Sequence, residues 1–460
     1  MVGTVALEGL DGLRRSLAGT ALVPSDPGYD GARVCFNALV DRRPAVIVRC
    51  LGAGDVASAF AFARAHELEV AVRSGGHNPA GHCVLDGGLV IDLSAMRRVE
   101  VDTEARIARA EGGATWADFD GATQSGGLVT PGGVVGSTGV AGLTFGGGIG
   151  HLTSQYGLTC DNLVGAELVT PNGEVLRAGP GGDEELLWGL RGGGGNFGVA
   201  TRLDFRLHPL EGVVGGLLVY RGSGVRDGLL AFRDLVAGAP HDLSCQAILA
   251  FDESAERMLF VVPCYTGSDP EPEELRVLRS VPCLASDDVR ERTFLEQQAL
   301  FDSPYGANRH YWKGHFVGEL PDELVDLLLE RVGALGRSPG DILIESLHGA
   351  PKEVDQAFGA IGYRGAASTS ARWRRGPTPP STTSTSAGHA RRRPRSSPGR
   401  SAAATRTTCR PTSRWRACGP RSATRASHGC AGSRAVSTRR TCCAGTRTSR
   451  LSRGRPAAPA

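Results

Sequence analysis

Nowhere in the 460 residues is there an apolar run approaching the roughly 20 residues of a membrane span, which argues against a membrane-embedded chain. The opening stretch, MVGTVALEGLDGLRRSL, lacks the continuous apolar centre of a secretory leader. With Glu8, Asp11 and Arg14 set among its apolar residues it reads as a short amphipathic helix, and a cytoplasmic location is expected. No CxxC pair occurs among the cysteines at 35, 50, 83, 160, 245, 264 and 283, so scattered reduced thiols are expected rather than a disulfide or zinc framework, and no metal. The stretch from Arg364 to Ala460 has no Asp, no Glu and no Lys, but 22 Arg. The remaining residues hold 29 basic and 48 acidic side chains, so the bland net charge of +3 conceals an acidic body joined to a segment of another character.

A chain of 460 residues exceeds one compact core and implies two or three domains. Residues 1–209 alternate short β-rich runs (Pro44–Leu51, Glu69–Arg73, Leu89–Leu93, Ala105–Ala110, Val199–Leu207) with helical patterns at Asp55–His66, Gly113–Gly126 and Leu186–Leu190. Thr115 is the expected N-cap of the second helix. Pro171-Asn172-Gly173 reads as a hairpin turn between Glu167–Thr170 and Glu174–Ala178. From Val129 to Gly150 glycine dominates and loops are expected. Residues 210–363 alternate strand-like runs (Gly216–Tyr220, Ala247–Phe251, Met258–Tyr265, Tyr311–Val317, Asp341–Leu347) with three helical ones, predicting an α+β domain with an antiparallel sheet.

Three glycine-rich motifs bear on chemistry. Arg73-Ser74-Gly75-Gly76-His77-Asn78 follows a strand, and its glycines allow close backbone approach to a ligand, with successive amides forming an anion-binding concavity. Taken alone, the hexapeptide is read as a tight turn with an exposed histidine rather than as a ligand site. Gly136–Gly150, GSTGVAGLTFGGGIG, would lose much backbone entropy on ordering, so something must hold it. Interleaved Val140, Leu143, Phe145 and Ile149 argue against a free linker, and a pyrophosphate on backbone amides is the natural occupant. Gly193–Gly198, GGGNFG, satisfies G-x-G-x-x-G but follows a helix and precedes a strand, the reverse of the dinucleotide fingerprint, so a Rossmann reading is rejected.

Taken in order, RSGGHN, GGLVIDLSAM, EGGATW, GSTGVAGLTFGGGIG, YGLTCDN, LLWGLRGGGGNFGV and FRLHP closely resemble the berberine-bridge-enzyme-like FAD-linked oxidases, over about Tyr29–Gly349. The resemblance implies an α+β protein with a two-subdomain FAD-binding domain of the p-cresol methylhydroxylase type, followed by a substrate domain. It implies FAD carried covalently by His77, with Arg73, Ser74, Gly75, Gly76 and Asn78 and the loop Gly136, Ser137, Thr138, Gly139 and Gly142 around the pyrophosphate. Gly146, Gly148, Gly150, His151, Asp161 and Asn162 would line the flavin and ribitol side, and Val199 the adenine side. Some members add a second bond from a cysteine at the position of Val135, so a single link is expected, with Cys160 a buried thiol. The implied reaction is hydride transfer from a small organic substrate (alcohol, sugar or secondary metabolite) to FAD, with O₂ as the final acceptor. Tyr311, Lys313 and His315 share one face of a strand resembling the family's substrate-sheet segment, and an ordinary solvated strand face accounts for them equally well. Oligomeric state is open.

Past Tyr363 apolar periodicity vanishes, and residues 364–460 are expected to be disordered or non-native. A basic nucleic-acid-binding arm is the disfavoured alternative. Read one base earlier, codon degeneracy permits Ser381–Ala390 to become VDDEHIRWAR, Ala404–Ser413 to become GYANYLPADE and Thr441–Arg450 to become NLLRRNQNIP. All three resemble successive C-terminal segments of the family, so the tail is expected to be a frameshift product. The family's active-site tyrosines would then fall at Thr405 and Thr408, leaving a chain that binds flavin but is catalytically impaired as the second expectation.

Overall fold

The computed structural model describes residues 8–252, 254–302, 308–333, 340–365 and the strand Ser368–Pro377. The reframed segments, Thr405, Thr408 and the five cysteines beyond residue 400 lie outside the described residues.

Three sheets carry the fold. In the first, Val46–Arg49, Leu89–Asp92 and Val70–Arg73 run parallel, with Thr20–Leu22 antiparallel at one edge. Val46, Ile47, Leu89 and Ile91 are fully buried, as expected of short parallel strands covered on both faces. Helix Ala53–Ala65 covers one face through Val56, Ala59 and Phe62. The second sheet is antiparallel, in the order Val99–Asp102, Ile107–Glu111, Val199–Arg206, Leu163–Val169, Val175–Ala178. Helix Trp116–Gln124 packs beside it, closed at its start by a capping box in which the Thr115 hydroxyl accepts from the Asp118 amide. The expected hairpin turn is present, with Gly173 at φ 84°, a left-handed conformation that favours glycine.

The third sheet is antiparallel and has nine strands, among them Arg257–Tyr265, Leu243–Phe251, Gly340–Ser346, Ser368–Pro377 and Asn308–Val317 in that spatial order. Its strands alternate faces with period two. Ala247, Leu249, Ile342 and Ile344 point into a core closed by helices Gly224–Gly238 and Asp322–Gly333, where Val225, Leu229, Phe232, Val325 and Val332 are buried. The opposite face, carrying Gln246, Ile248, Leu343 and Glu345, looks onto a cavity.

Two local features differ from the sequence reading. Within the glycine-dominated stretch, Val140–Phe145 forms a helix that buries Val140, Ala141, Thr144 and Phe145. The Arg-rich segment opens with ordered backbone: Ser368–Pro377 is paired on both edges, against Gly340–Ser346 and Asn308–Val317. A ladder of backbone hydrogen bonds asks little of side-chain identity, which is how so unpatterned a segment can occupy a strand position. Among the described residues the seven cysteines are all free, and no helix is long and apolar enough to cross a membrane.

Candidate functional site

Strand Val70–Arg73 ends in the loop Ser74–Asn78, and strand pairing with Leu89–Asp92 fixes where that loop begins. The helix Val140–Phe145 likewise fixes the end of the loop Gly136–Gly139. The two loops cross at glycine. A Cβ on Gly75 would collide with the backbone of Gly139, and one on Gly139 with Gly75 and the Ser74 hydroxyl. That mutual exclusion explains why neither position tolerates a side chain.

Beyond the crossing lies a cavity of about 630 Å³. On one side it is lined by Ser74, Gly75, Gly76, His77, Asn78, Thr138, Gly139 and Gly142, and on the other by the cavity face of the nine-stranded sheet. A smaller adjoining hollow is bounded by Arg73, Ser74, Gly75, Gly136 and Ser137. The two loops implied by the resemblance are thus brought together. The Gly136 amide, however, donates to the Asp302 carboxylate at 2.7 Å, and the Arg73 guanidinium donates to the Ala32 carbonyl. Those two groups serve the protein itself.

His77 sits at the cavity wall with Nε2 2.8 Å from Ser137 Oγ and Nδ1 3.4 Å from Thr138 Oγ1. Its ring stacks on Phe36 at 4.3 Å between centroids, and Phe36 stacks in turn on His310. Burial, reinforced by His310, lowers the His77 pKa to about 4, so the imidazole is neutral and keeps a lone pair at neutral pH.

The remaining residues implied by the resemblance lie elsewhere. Gly148 and Gly150 permit close approach by Thr159 and the Gly132 carbonyl, and the Gly146 carbonyl accepts from the Tyr363 hydroxyl at 3.3 Å, so these three positions serve contacts within the chain. Val199 is a core residue whose neighbours Gly198 and Ala200 reach the cavity. Asn162 is consumed by the Tyr156 and Leu158 carbonyls and by His208. The Asp161 carboxylate caps the Leu158 amide and forms a paired contact with the Arg364 guanidinium, both side chains being almost wholly buried. Breaking such a pair strands a buried charge. Arg364→Met is therefore expected to lower unfolding free energy by about 3–5 kcal/mol, with partial recovery in the Asp161→Asn, Arg364→Met double variant, as measured by urea denaturation.

Tyr311 and Lys313 require a correction. They do share a face, but it is the one turned away from the cavity, and Tyr311 is 59% exposed. Trp312, one residue out of phase, lines the cavity, because the period-two alternation places neighbours on opposite faces. Gln246, Ile248, Asp341, Leu343 and Glu345 also line it and were not legible as site residues. Their only sequence signal is the alternation within two strands about a hundred residues apart.

His151 is fully buried beside Phe301, and burial lowers its pKa to about 4. A histidine held neutral in the fold but titrating normally when unfolded destabilises the native state as pH falls. Stability is full above about 6.5 and declines towards 4, by up to about 1.4 kcal/mol per pH unit. His151→Gln is expected to flatten that decline in urea midpoints measured between pH 4 and 7.

Similarity to known proteins agrees with this geometry. A family described as an FAD binding domain matches residues 44–179. The (R)-6-hydroxynicotine oxidase of Paenarthrobacter nicotinovorans is 34% identical over 289 residues, 62% of this chain and 63% of that enzyme's length. An FAD-linked oxidoreductase of Dictyostelium discoideum is 31% identical over 336 residues, covering 72% of this chain and 73% of the relative. A solved berberine-bridge-enzyme-like structure from Physcomitrella patens superposes with a TM-score of 0.70 at 20% identity, over 79% of this chain and 83% of the other, which speaks to the fold alone. With glycine loops, cavity and sheet wall arranged in this way, and with a relative of that name 31% identical and matched over 73% of its length, the chain belongs to the FAD-linked oxidoreductases and has the fold of their berberine-bridge-enzyme-like members.

Proposed function

We propose that the protein is an oxidase of a small alcohol, sugar or secondary metabolite that carries FAD through a single covalent bond to His77. The observation that carries this reading is the neutral, stacked imidazole of His77 at the wall of a cavity closed by two crossing glycine loops. The residues present fit the cofactor. Ser74 Oγ is buried at the crossing with no hydrogen-bond partner among the described residues, beside the Gly75 and Gly139 backbones that no side chain can fill, which suits a phosphate needing donors at close range.

When bound, FAD would supply the two-electron acceptor, with dioxygen as the final acceptor in this reading. The chain's own groups do the rest. Ser74 and the loop amides hold the anionic part, and the His77 lone pair is available for the tether because burial keeps its proton off. Phe36 fixes the imidazole plane. The sheet wall shapes the substrate space, with Ile248 and Leu343 offering apolar surface and Glu345 a carboxylate able to take a substrate proton.

A second reading, a flavoprotein with little turnover, is favoured by the composition past Tyr363, since threonine at 405 and 408 cannot replace a phenol as a base at neutral pH without strong help. Purified protein is expected to keep visible absorbance on the polypeptide after denaturation. Peroxide release from alcohols or sugars distinguishes the two readings, and protein that stays colourless after incubation with flavin overturns both.

A further inference from the structure

Gln246 is only 4% exposed, lines the cavity, and has no hydrogen-bond partner for either Oε1 or Nε2 among the described residues. Burying an amide unbonded is costly, and native interiors leave few such groups. Among the other buried polar groups in this condition, Asp120 and His348 Nδ1 line neither hollow, and Ser74 Oγ, which lines both, sits at the loop crossing assigned above to the phosphate. Gln246 also has a defined setting. Its directly opposed cross-strand neighbour is Glu345, and the next cavity-facing pair along the same two strands is Ile248 with Leu343. The wall therefore presents one polar pair beside one apolar pair, at the fixed spacing of an antiparallel ladder.

We propose that Gln246 is a substrate-positioning residue. Its amide binds the oxidisable C–OH or C–NH group of a molecule whose apolar body lies on Ile248 and Leu343. A hydroxyl or a neutral amine can both donate and accept, so one such group, or that group and its neighbour, satisfies both ends of the amide. This rests on the FAD-oxidase reading above, since the cavity is taken as the place where substrate meets flavin.

The test uses the full-length, flavin-loaded protein and its Gln246→Leu variant, titrated with benzyl alcohol, benzylamine and toluene while following the visible spectrum. Wild type is expected to bind one of the polar probes at least tenfold tighter than toluene, and the tighter of the two tells alcohol from amine substrates. Gln246→Leu should abolish that preference while keeping its colour and a melting temperature equal to or above wild type, because an unbonded amide has been removed. The proposal is overturned by no polar preference in wild type, by a preference that survives in Gln246→Leu, or by a lower melting temperature, which would mean that the amide is tied internally. A shifted probe-free flavin spectrum in the variant also overturns it, by assigning the amide to the cofactor. Colourless protein would count against the FAD reading instead; the same probes, followed by thermal shift, then decide on Gln246 separately.

Discussion

Replacing His77 with alanine is expected to move all of the flavin from the polypeptide to the soluble fraction when the protein is denatured. The expectation follows from three features of the site. The imidazole is the neutral, nucleophilic side chain on the loop that crosses Gly139. Phe36 on one side and the Ser137 and Thr138 hydroxyls on the other confine it to one orientation, so the tether forms without a search over rotamers. The family resemblance implies that a second link would come from a cysteine at the position of Val135, and Cys160 is buried with its pKa pushed up to about 12 by desolvation, so neither offers a substitute nucleophile. Wild type should retain its absorbance through denaturation and gel filtration in guanidinium. His77→Ala should still fold, since the crossing of the two loops depends on glycine backbone rather than on the imidazole. Colour that remained attached to the variant would place the anchor elsewhere, and peptide mapping of the coloured fragment would identify it.

How much of this was legible from the residues depended on whether a property was local. Strand Val70–Arg73, its parallel partner Leu89–Asp92 and the loop between Arg73 and Asn78 announce themselves through a short β-rich run followed by paired glycines. The Thr115 cap and the Pro171-Asn172-Gly173 turn are likewise settled within a few residues of chain, by side-chain oxygen geometry and by a positive φ. The reversed order around Gly193–Gly198 also held: the motif leads into Val199–Arg206, which pairs antiparallel on both edges and so cannot be a Rossmann strand.

Properties set by tertiary register were not legible. Helix Val140–Phe145 is only six residues long and is flanked by glycines, so composition masked an apolar face that exists only because the core has room for it. Alternation along Asn308–Val317 was visible, but which face meets the cavity is decided by the twist and pairing of the whole sheet, and the wrong face carried the more reactive side chains. The resemblance alone put Asp161 on the ligand side, and no local feature could show that its partner, Arg364, lies about two hundred residues away. Gln246 and Glu345 show the same limit from the other side, being uninformative singly and meaningful only once the ladder sets them opposite each other.

A coding sequence returned to the alternative frame near codons 359–381 is expected to raise turnover by roughly 10²–10⁴-fold, the usual contribution of a positioned acid–base group. We propose this because a single shift turns three separate stretches into segments resembling the family in the correct order, and places tyrosines where Thr405 and Thr408 now stand. A phenol titrating near 10 can exchange a proton with a substrate hydroxyl or amine once the site lowers its pKa, whereas an aliphatic hydroxyl lies far above that range. The glycine loops, His77 and the wall residues Gln246, Ile248, Leu343 and Glu345 all precede the altered stretch, so flavin content should change far less than peroxide release does. That asymmetry is what distinguishes a missing acid–base group from a general rescue of folding. If flavin occupancy and turnover rose by the same factor, the tail would have been limiting assembly, and the active-site role given to residues 405 and 408 would be withdrawn. If neither changed, the Arg-rich stretch would have to be treated as the sequence this protein uses, and the proton acceptor sought on the wall that holds Glu345.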